Sequence, residues 1–322
     1  MVTGDQILRQ LAKLLYMPTW PELRKLFLDR EQPRGDWQLA VMACRAVGGR
    51  EEDALPAVAA IACIKASFIL VDGILDEDPV GLHNDMGWGR AANLGLGLLA
   101  AGNALIEAAP WPTEQKLAVI ASLSRMALTG AAGQELDAQN RASEDAYWEV
   151  VRAKGSPFYA SSLEIGALVG GASAELARQM WEFGALFGEI VQIYDDLEDA
   201  FKVPAAPDWQ RGYNNLAILF GLLADHPDKE RLIELRAHIT QEAGALREAQ
   251  EILVRCGAVA YCLYHLTQRV QKAREMIEQM VLSDARLMWE LLDTQVAPLR
   301  DWLHTIGSQV PSELDGGIDA NY

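Results

Sequence analysis

Apolar residues recur three and four positions apart along nearly the whole chain, and no stretch alternates with period two. That spacing gathers apolar side chains on one side of an α-helix, and without alternating runs or Asn-Gly turns there is no strand to pair. The chain is therefore expected to be all-α. One long helix is expected over 53–78, opening at Asp53 with Pro56 in its first turn and stopping before Pro79. A second, over 174–202, carries an apolar stripe of Met180, Phe183, Phe187, Ile190, Tyr194, Leu197 and Phe201. Others are expected over 89–108 and 114–138, with two shorter ones over 143–171 broken at Gly155 and Pro157, and two or three within 228–305. Segments rich in Gly, Pro and Asp separate them at 31–36, 79–88, 109–113, 203–212 and 226–228. No linker divides the chain, so residues 1–305 read as a single helical domain, with 306–322 a disordered tail.

Composition removes several classes of function. Half of the 322 residues are hydrophobic, which excludes a disordered chain. With 28 basic against 45 acidic residues the net charge is −17, the wrong sign for a nucleic-acid backbone or an anionic membrane surface. Cys44, Cys63, Cys256 and Cys262 lack CxxC spacing and read as small buried apolar residues, and the five histidines show no metal spacing. The start of the chain has Asp5 where a secretion signal needs a basic end. The most apolar stretch, 91–109, contains Asn93 and Asn103 and is short for a bilayer span. A soluble cytoplasmic protein without a membrane anchor is expected.

Two carboxylate groups carry the chemistry. The first, in "FILVDGILDEDP", holds Asp72, Asp76, Glu77 and Asp78; the second, in "QIYDDLEDAF", holds Asp195, Asp196, Glu198 and Asp199. Asp72 and Asp76 are four apart and share a helix face, as do Asp195 and Asp199. Like charges at that spacing repel, and both pairs lie in apolar helices where bare carboxylates are costly. A cation relieves both costs. Mg²⁺ takes hard carboxylate oxygens, one or two at a time, together with substrate phosphates. Gly188, Gln192, Asp195 and Asp199 continue as a small and polar stripe. A solvated acidic face explains either group alone and explains the two together less well.

On these motifs the chain resembles the trans-polyprenyl diphosphate synthase family of class I isoprenoid synthases. "DDLED" stands intact after Gln192, and the family's first Asp-rich motif survives as "DGILD". "GWGRAANLGLGLLAAG", "GQELDAQN", "YWEVVRAKGSPFYASSLEIGALVGGAS" and "DWQRGYNNLAIL" follow the family's order over about residues 37–222. The resemblance implies antiparallel helices around a deep apolar cavity, commonly in a homodimer. It implies magnesium-assisted departure of diphosphate from an allylic prenyl diphosphate, with the cation passed to an acceptor, usually isopentenyl diphosphate. By position, Asp72, Asp76, Asp195 and Asp199 would bind metal and Lys154 the leaving diphosphate, with Asp196 and Gln192 supporting that site. Phe68, one turn before Asp72, would help to floor the cavity, and Gln134 and Tyr213 would face substrate. For Phe68, core packing is an equal alternative, as helix-surface polarity is for Gln134 and Asp137; Tyr213, Asn214 and Asn215 equally suit a helix cap.

The departures follow one theme. Gly73 stands where the family has a second aspartate. The basic residues for a second diphosphate are mostly gone: "QPRGDWQ" keeps only Arg34, "VGLHNDMG" keeps none, and Tyr213 replaces a lysine. Arg50, Arg90 and Arg211 are the candidates to compensate. The favoured expectation is an enzyme that ionises an allylic diphosphate and transfers or cyclises the cation without a normal isopentenyl diphosphate site, the acceptor being unknown. A chain-elongating synthase with a rearranged basic site and a non-catalytic modulating subunit are the alternatives.

Overall fold

The computed structural model describes residues 2–28, 35–78, 80–211, 213–242, 244–305 and 314. Among the described residues there are helices and turns and no strand. In chain order the α-helices are α1 (Gly4–Leu11), α2 (Glu22–Phe27), α3 (Leu39–Ala46), α4 (Glu51–Leu75), α5 (Leu82–Met86), α6 (Trp88–Ala108), α7 (Thr113–Ala138) and α8 (Glu144–Val150). They continue as α9 (Ser156–Val169), α10 (Ala174–Phe201), α11 (Asp208–Arg211), α12 (Leu216–Leu223), α13 (Lys229–Ala237), α14 (Ala245–Arg255), α15 (Ala258–Gln279) and α16 (Arg286–Thr305). The chain forms two compact units, residues 1–131, 157–184 and 279–288 in the first and 132–156, 185–278 and 289–322 in the second.

In the first unit α4 is the central element, packed along α6 and against α1 and α3. Its middle is built from small buried residues, Ala57, Ala59, Ala60, Ala62 and Cys63. These let neighbouring backbones approach: a Cβ on Gly102 of α6 would lie 3.1 Å from the Ala60 carbonyl oxygen. Ile64, Leu70, Leu94, Leu98 and Ile106 fill the remaining space and are fully buried. Each such side chain stabilises the unit by about 1.5–3 kcal/mol. By length and composition alone α4 and α6 could each cross a membrane; within the protein 67% of the most apolar window of α4 and 44% of that of α6 are buried.

In the second unit the C-terminal half of α10 packs its apolar stripe inward through Phe187, Ile190, Ile193 and Leu197. Trp209 is fully buried and its indole N–H donates to the Ala200 carbonyl at 3.1 Å, holding α11 under the end of α10. Arg236 of α13 donates to the carbonyls of Trp209 and Gln210, both at 2.9 Å.

Several boundaries differ from expectation for identifiable reasons. Helix α4 begins two residues early because Glu51, Glu52 and Asp53 suit the positive end of the helix dipole, and Arg50 grips the Asp53 carboxylate with two hydrogen bonds. It ends at Leu75, since Glu77 takes a left-handed φ of 51°. Glu77 N–H then donates to Ile74 O and Asp78 N–H to Gly73 O, the paired bonds that satisfy terminal carbonyls. The expected break at Gly155 is instead one π-helical stretch, Val151–Gly155, running directly into α9. The C-terminal third holds four helices, because Gly244 and Gly257 each turn the chain at φ 90°. The expected disordered tail lies outside the described residues except Leu314, which is buried and whose carbonyl accepts from Arg300.

A Cβ on Gly166 of α9 would lie 2.3 Å from the Ala40 carbonyl oxygen in α3. Gly166→Ala is expected to destabilise the protein by about 1–3 kcal/mol through forced separation of these helices. Urea unfolding measures it, and an unchanged midpoint would show that the contact yields freely.

Candidate active site

The first carboxylate group stands at the C-terminal end of α4. Asp72 is in the last turn and Asp76 caps it, its N–H donating to the Asp72 carbonyl at 2.8 Å. Both side chains are half-buried, and the last turn holds no basic residue. A helix C-terminus carries partial negative charge, so each carboxylate there costs about 0.3–1 kcal/mol.

The second group occupies the last two turns of α10, again at a negative helix end. Asp195 is exposed and Asp199 half-buried, with Lys202 Nζ 3.7 Å from Asp199. Asp196, rotated to the opposite side, is 1% exposed. Its carboxylate accepts from Tyr147 Oη at 2.6 Å, Gln192 Nε2 at 2.8 Å and the Leu216 N–H at 2.7 Å. Burial pushes its carboxyl up to about 7, against the pull of these three donors. Asn215 completes the hub: its Nδ2 donates to the Asp196 carbonyl and to Asp208, and its Oδ1 caps α12 through the Ala217 and Ile218 N–H groups.

Lys154 lies in the π-helical stretch. Its Nζ is 2.5 Å from Asp137 Oδ2, and Asn214 Nδ2 is 2.5 Å from the other oxygen of the same carboxylate. Two positions before it, Arg152 donates to Glu189 of α10 at 3.0 Å, and Arg269 of α15 holds the other Glu189 oxygen at 2.7 Å. The backbone of α7 comes close here: a Cβ on Gly133 would be 2.4 Å from the Lys154 nitrogen. A π-turn is a local irregularity that often marks a functional site, and here ion pairs on both sides hold it in place.

Residues 37–253 match the polyprenyl synthetase family. The chain belongs to the polyprenyl synthetase family. Membership puts it among the prenyltransferases of isoprenoid biosynthesis. It is 28% identical over 270 residues to a short chain isoprenyl diphosphate synthase of Methanothermobacter thermautotrophicus, covering 77% of this chain and 80% of that one. Among solved structures it is similar to a geranylgeranyl pyrophosphate synthase, with a TM-score of 0.80, 19% identity and 96% and 100% of the two chains covered. It is also similar to a polyprenyl synthase from Caulobacter crescentus CB15 complexed with calcium and isoprenyl diphosphate, with a TM-score of 0.74, 20% identity and 89% and 92% covered. At these identities the structures establish the fold, the all-α isoprenoid-synthase type.

In this polyprenyl synthetase the expected site residues have distinct placements. Asp72 with Asp76, and Asp195 with Asp199, form two pairs at helix C-termini, each within its own unit. Among the described residues no three His, Cys, Asp or Glu side chains are grouped to hold an ion by themselves. Two carboxylates per pair are what Mg²⁺ takes when substrate phosphates supply the rest, so the donor set fits that metal. Asp196, expected to support the diphosphate site, is bonded through its carboxylate to Tyr147, Gln192 and Leu216 and so positions α8, α10 and α12. Gln192 serves Asp196 in the same way, its Oε1 lying 3.6 Å from where a Gly155 Cβ would be. Tyr213 packs its ring 5.2 Å from the Arg236 guanidinium. Gln134 is buried. Phe68 is half-buried and meets Phe158 edge-on at 5.3 Å, both rings resting over Gly130.

Of the compensating arginines, Arg50 is held by Asp53 and Arg90 by Glu22 at 2.7 Å. Arg34 and the Arg211 side chain lie outside the described residues. Sequence reasoning passed over Lys65, the lone charged residue of α4 between Asp53 and Asp72. It is half-buried and lines a narrow cleft with Trp37, Phe158, Tyr159 and Ser162. Its isolation in an apolar run was the available signal. Asp137, left without a firm role, is the partner that orients Lys154.

The Tyr147 hydroxyl bond to the buried Asp196 carboxylate sets a test of the hub. Tyr147→Phe is expected to cost about 1.5–3 kcal/mol of stability, the worth of a bond to a charged acceptor. Equal urea midpoints for the two proteins would show that the hub does not depend on it.

Proposed function

We propose that this chain is a magnesium-dependent, chain-elongating prenyl diphosphate synthase that joins an allylic prenyl diphosphate to isopentenyl diphosphate. The observation that carries the reading is the pairing of carboxylates at two helix C-termini in a chain whose curated relative, aligned over 77% of its length, is an isoprenyl diphosphate synthase. The structural neighbour, solved in complex with calcium and isoprenyl diphosphate, supports a divalent cation and a prenyl diphosphate as ligands.

In this reading the Asp72–Asp76 pair and the Asp195–Asp199 pair would each hold magnesium, with diphosphate oxygens completing its coordination. Magnesium there supplies positive charge to the departing group. The allylic C–O bond breaks and diphosphate leaves with the electron pair. Lys154 neutralises the negative charge that develops, and Asp137, itself held by Asn214, keeps its ammonium in place. The double bond of isopentenyl diphosphate supplies the electrons of the new C–C bond, and a neighbouring carbon loses a proton to the released diphosphate. The Phe68–Phe158 pair blocks further growth of the prenyl chain. The active form is a cytoplasmic homodimer.

The absence of basic residues from the family positions favoured transfer or cyclisation without isopentenyl diphosphate. That reading gives way to the relative: an isoprenyl diphosphate synthase aligned over 77% of this chain supports elongation.

Purified protein with Mg²⁺ and a ten-, fifteen- or twenty-carbon allylic diphosphate is expected to release diphosphate only when isopentenyl diphosphate is added, giving a longer prenyl diphosphate. Release without it, giving a hydrocarbon or alcohol, would return the cyclising reading. Asp72→Ala or Asp195→Ala should lower turnover by about 100-fold or more, as should chelation of the metal. Phe68→Ala should lengthen the product, and an unchanged product length would remove Phe68 from that role.

A further inference from the structure

The imidazole of His83 lies in the space that a side chain at position 73 would occupy. His83 is 3% exposed. A Cβ on Gly73 would be 2.6 Å from both Cε1 and Nδ1 of the ring, and a Cβ on Gly81 would be 2.7 Å from the same two atoms. Carbon atoms do not approach so closely, so any side chain at 73 and His83 in this position exclude one another. The other ring nitrogen, Nε2, is 2.9 Å from the Asp78 carbonyl oxygen, so it carries the proton and donates. Asn84 Nδ2 donates to the same oxygen at 2.9 Å. Asp78 in turn donates its N–H to Gly73 O at 3.1 Å. The residues from Gly73 to Asp78, which include Asp76, are thus closed at both ends around one buried ring.

We propose that His83 is the positioning residue of the first carboxylate pair, wedged against Gly73 and Gly81 so that the turn bearing Asp76 is locked onto the end of α4. The inference rests on the reading of Asp72 and Asp76 as metal-binding residues. Gly73 is then a requirement of the device: it makes room for the wedge. Gly73 and His83 form one coupled unit: no side chain fits at 73 while the ring stays in place.

The test is Mn²⁺ binding to the full chain in the presence of inorganic pyrophosphate, followed by the electron paramagnetic resonance of free Mn²⁺, with the thermal midpoint of each variant measured alongside. His83→Ala is expected to weaken Mn²⁺ binding about tenfold or more, the usual cost of removing a residue that orients metal ligands. His83→Gln, which keeps an N–H donor for Asp78, should recover most of that loss. A plug with only a structural role would lower the thermal midpoint and leave Mn²⁺ affinity as it was. Gly73→Asp should weaken binding by driving a side chain into the ring, and Gly73→Asp with His83→Ala should bind more tightly than Gly73→Asp alone. Asp76→Asn separates the two failures. If Asp76→Asn loses Mn²⁺ and His83→Ala does not, the positioning role is overturned while the metal site stands. If Asp76→Asn also binds normally, the metal-site reading falls and takes the inference with it. Should His83→Ala fail to fold, the Gly73→Asp background decides: no gain on removing the ring refutes the coupling.

Discussion

Carboxylates crowd the negative ends of two long helices, where the helix dipole and their own repulsion act against them. On α4 the last turn has no basic residue; on α10 Lys202 is 3.7 Å from Asp199 in a largely exposed pair. Such a pair is worth little. Helix dipole, four-residue spacing and the overall charge of −17 all act in the same unfavourable direction. The cost is tolerated because both helices are anchored by apolar burial along the rest of their length, Ile64 to Leu70 in α4 and Phe187 to Leu197 in α10. A stable scaffold thus holds carboxylates that a bound cation would relieve, and a cation held by two carboxylates has coordination positions left for phosphate oxygens.

Asp195 and Asp196 show how one residue of sequence separates two functions. The helix turns by about 100° between them. Asp195 faces solvent, while Asp196 is enclosed with three donors and fixes the neighbours that carry Lys154. In the string "DDLED" the two look alike. Spacing identifies the shared face of Asp195 and Asp199, but the environment of Asp196 depends on Tyr147 and Leu216, which come from other parts of the chain.

The same distinction governs what was legible throughout. The all-α class, the extents of α6, α7 and α10 and the two acidic pairs follow from local periodicity, and the family resemblance from motif order. The π-helical stretch at 151–155 was not legible, because its causes are the close approach of Gly133 and the partners Asp137 and Glu189 on other helices. The end of α4 was misplaced because a glutamate, Glu77, takes the left-handed position usually marked by glycine. The division of the C-terminal third was legible in Gly244 and Gly257 and was under-read.

Position-by-position comparison treats each missing residue as a loss, and two sites here argue for counting space and charge instead. At position 73 the side chain is gone and an imidazole from ten residues later fills its volume and bonds the adjoining turn. Along α4 an ammonium stands in an apolar run, where burying it unsupported would be costly unless its head reaches polar groups. Lys65 meets that condition at a cleft shared with Tyr159 and Ser162. The lysine therefore stands where its head meets polar neighbours rather than the apolar interior, and the charge it adds to α4 is absent from a count made only at the family positions.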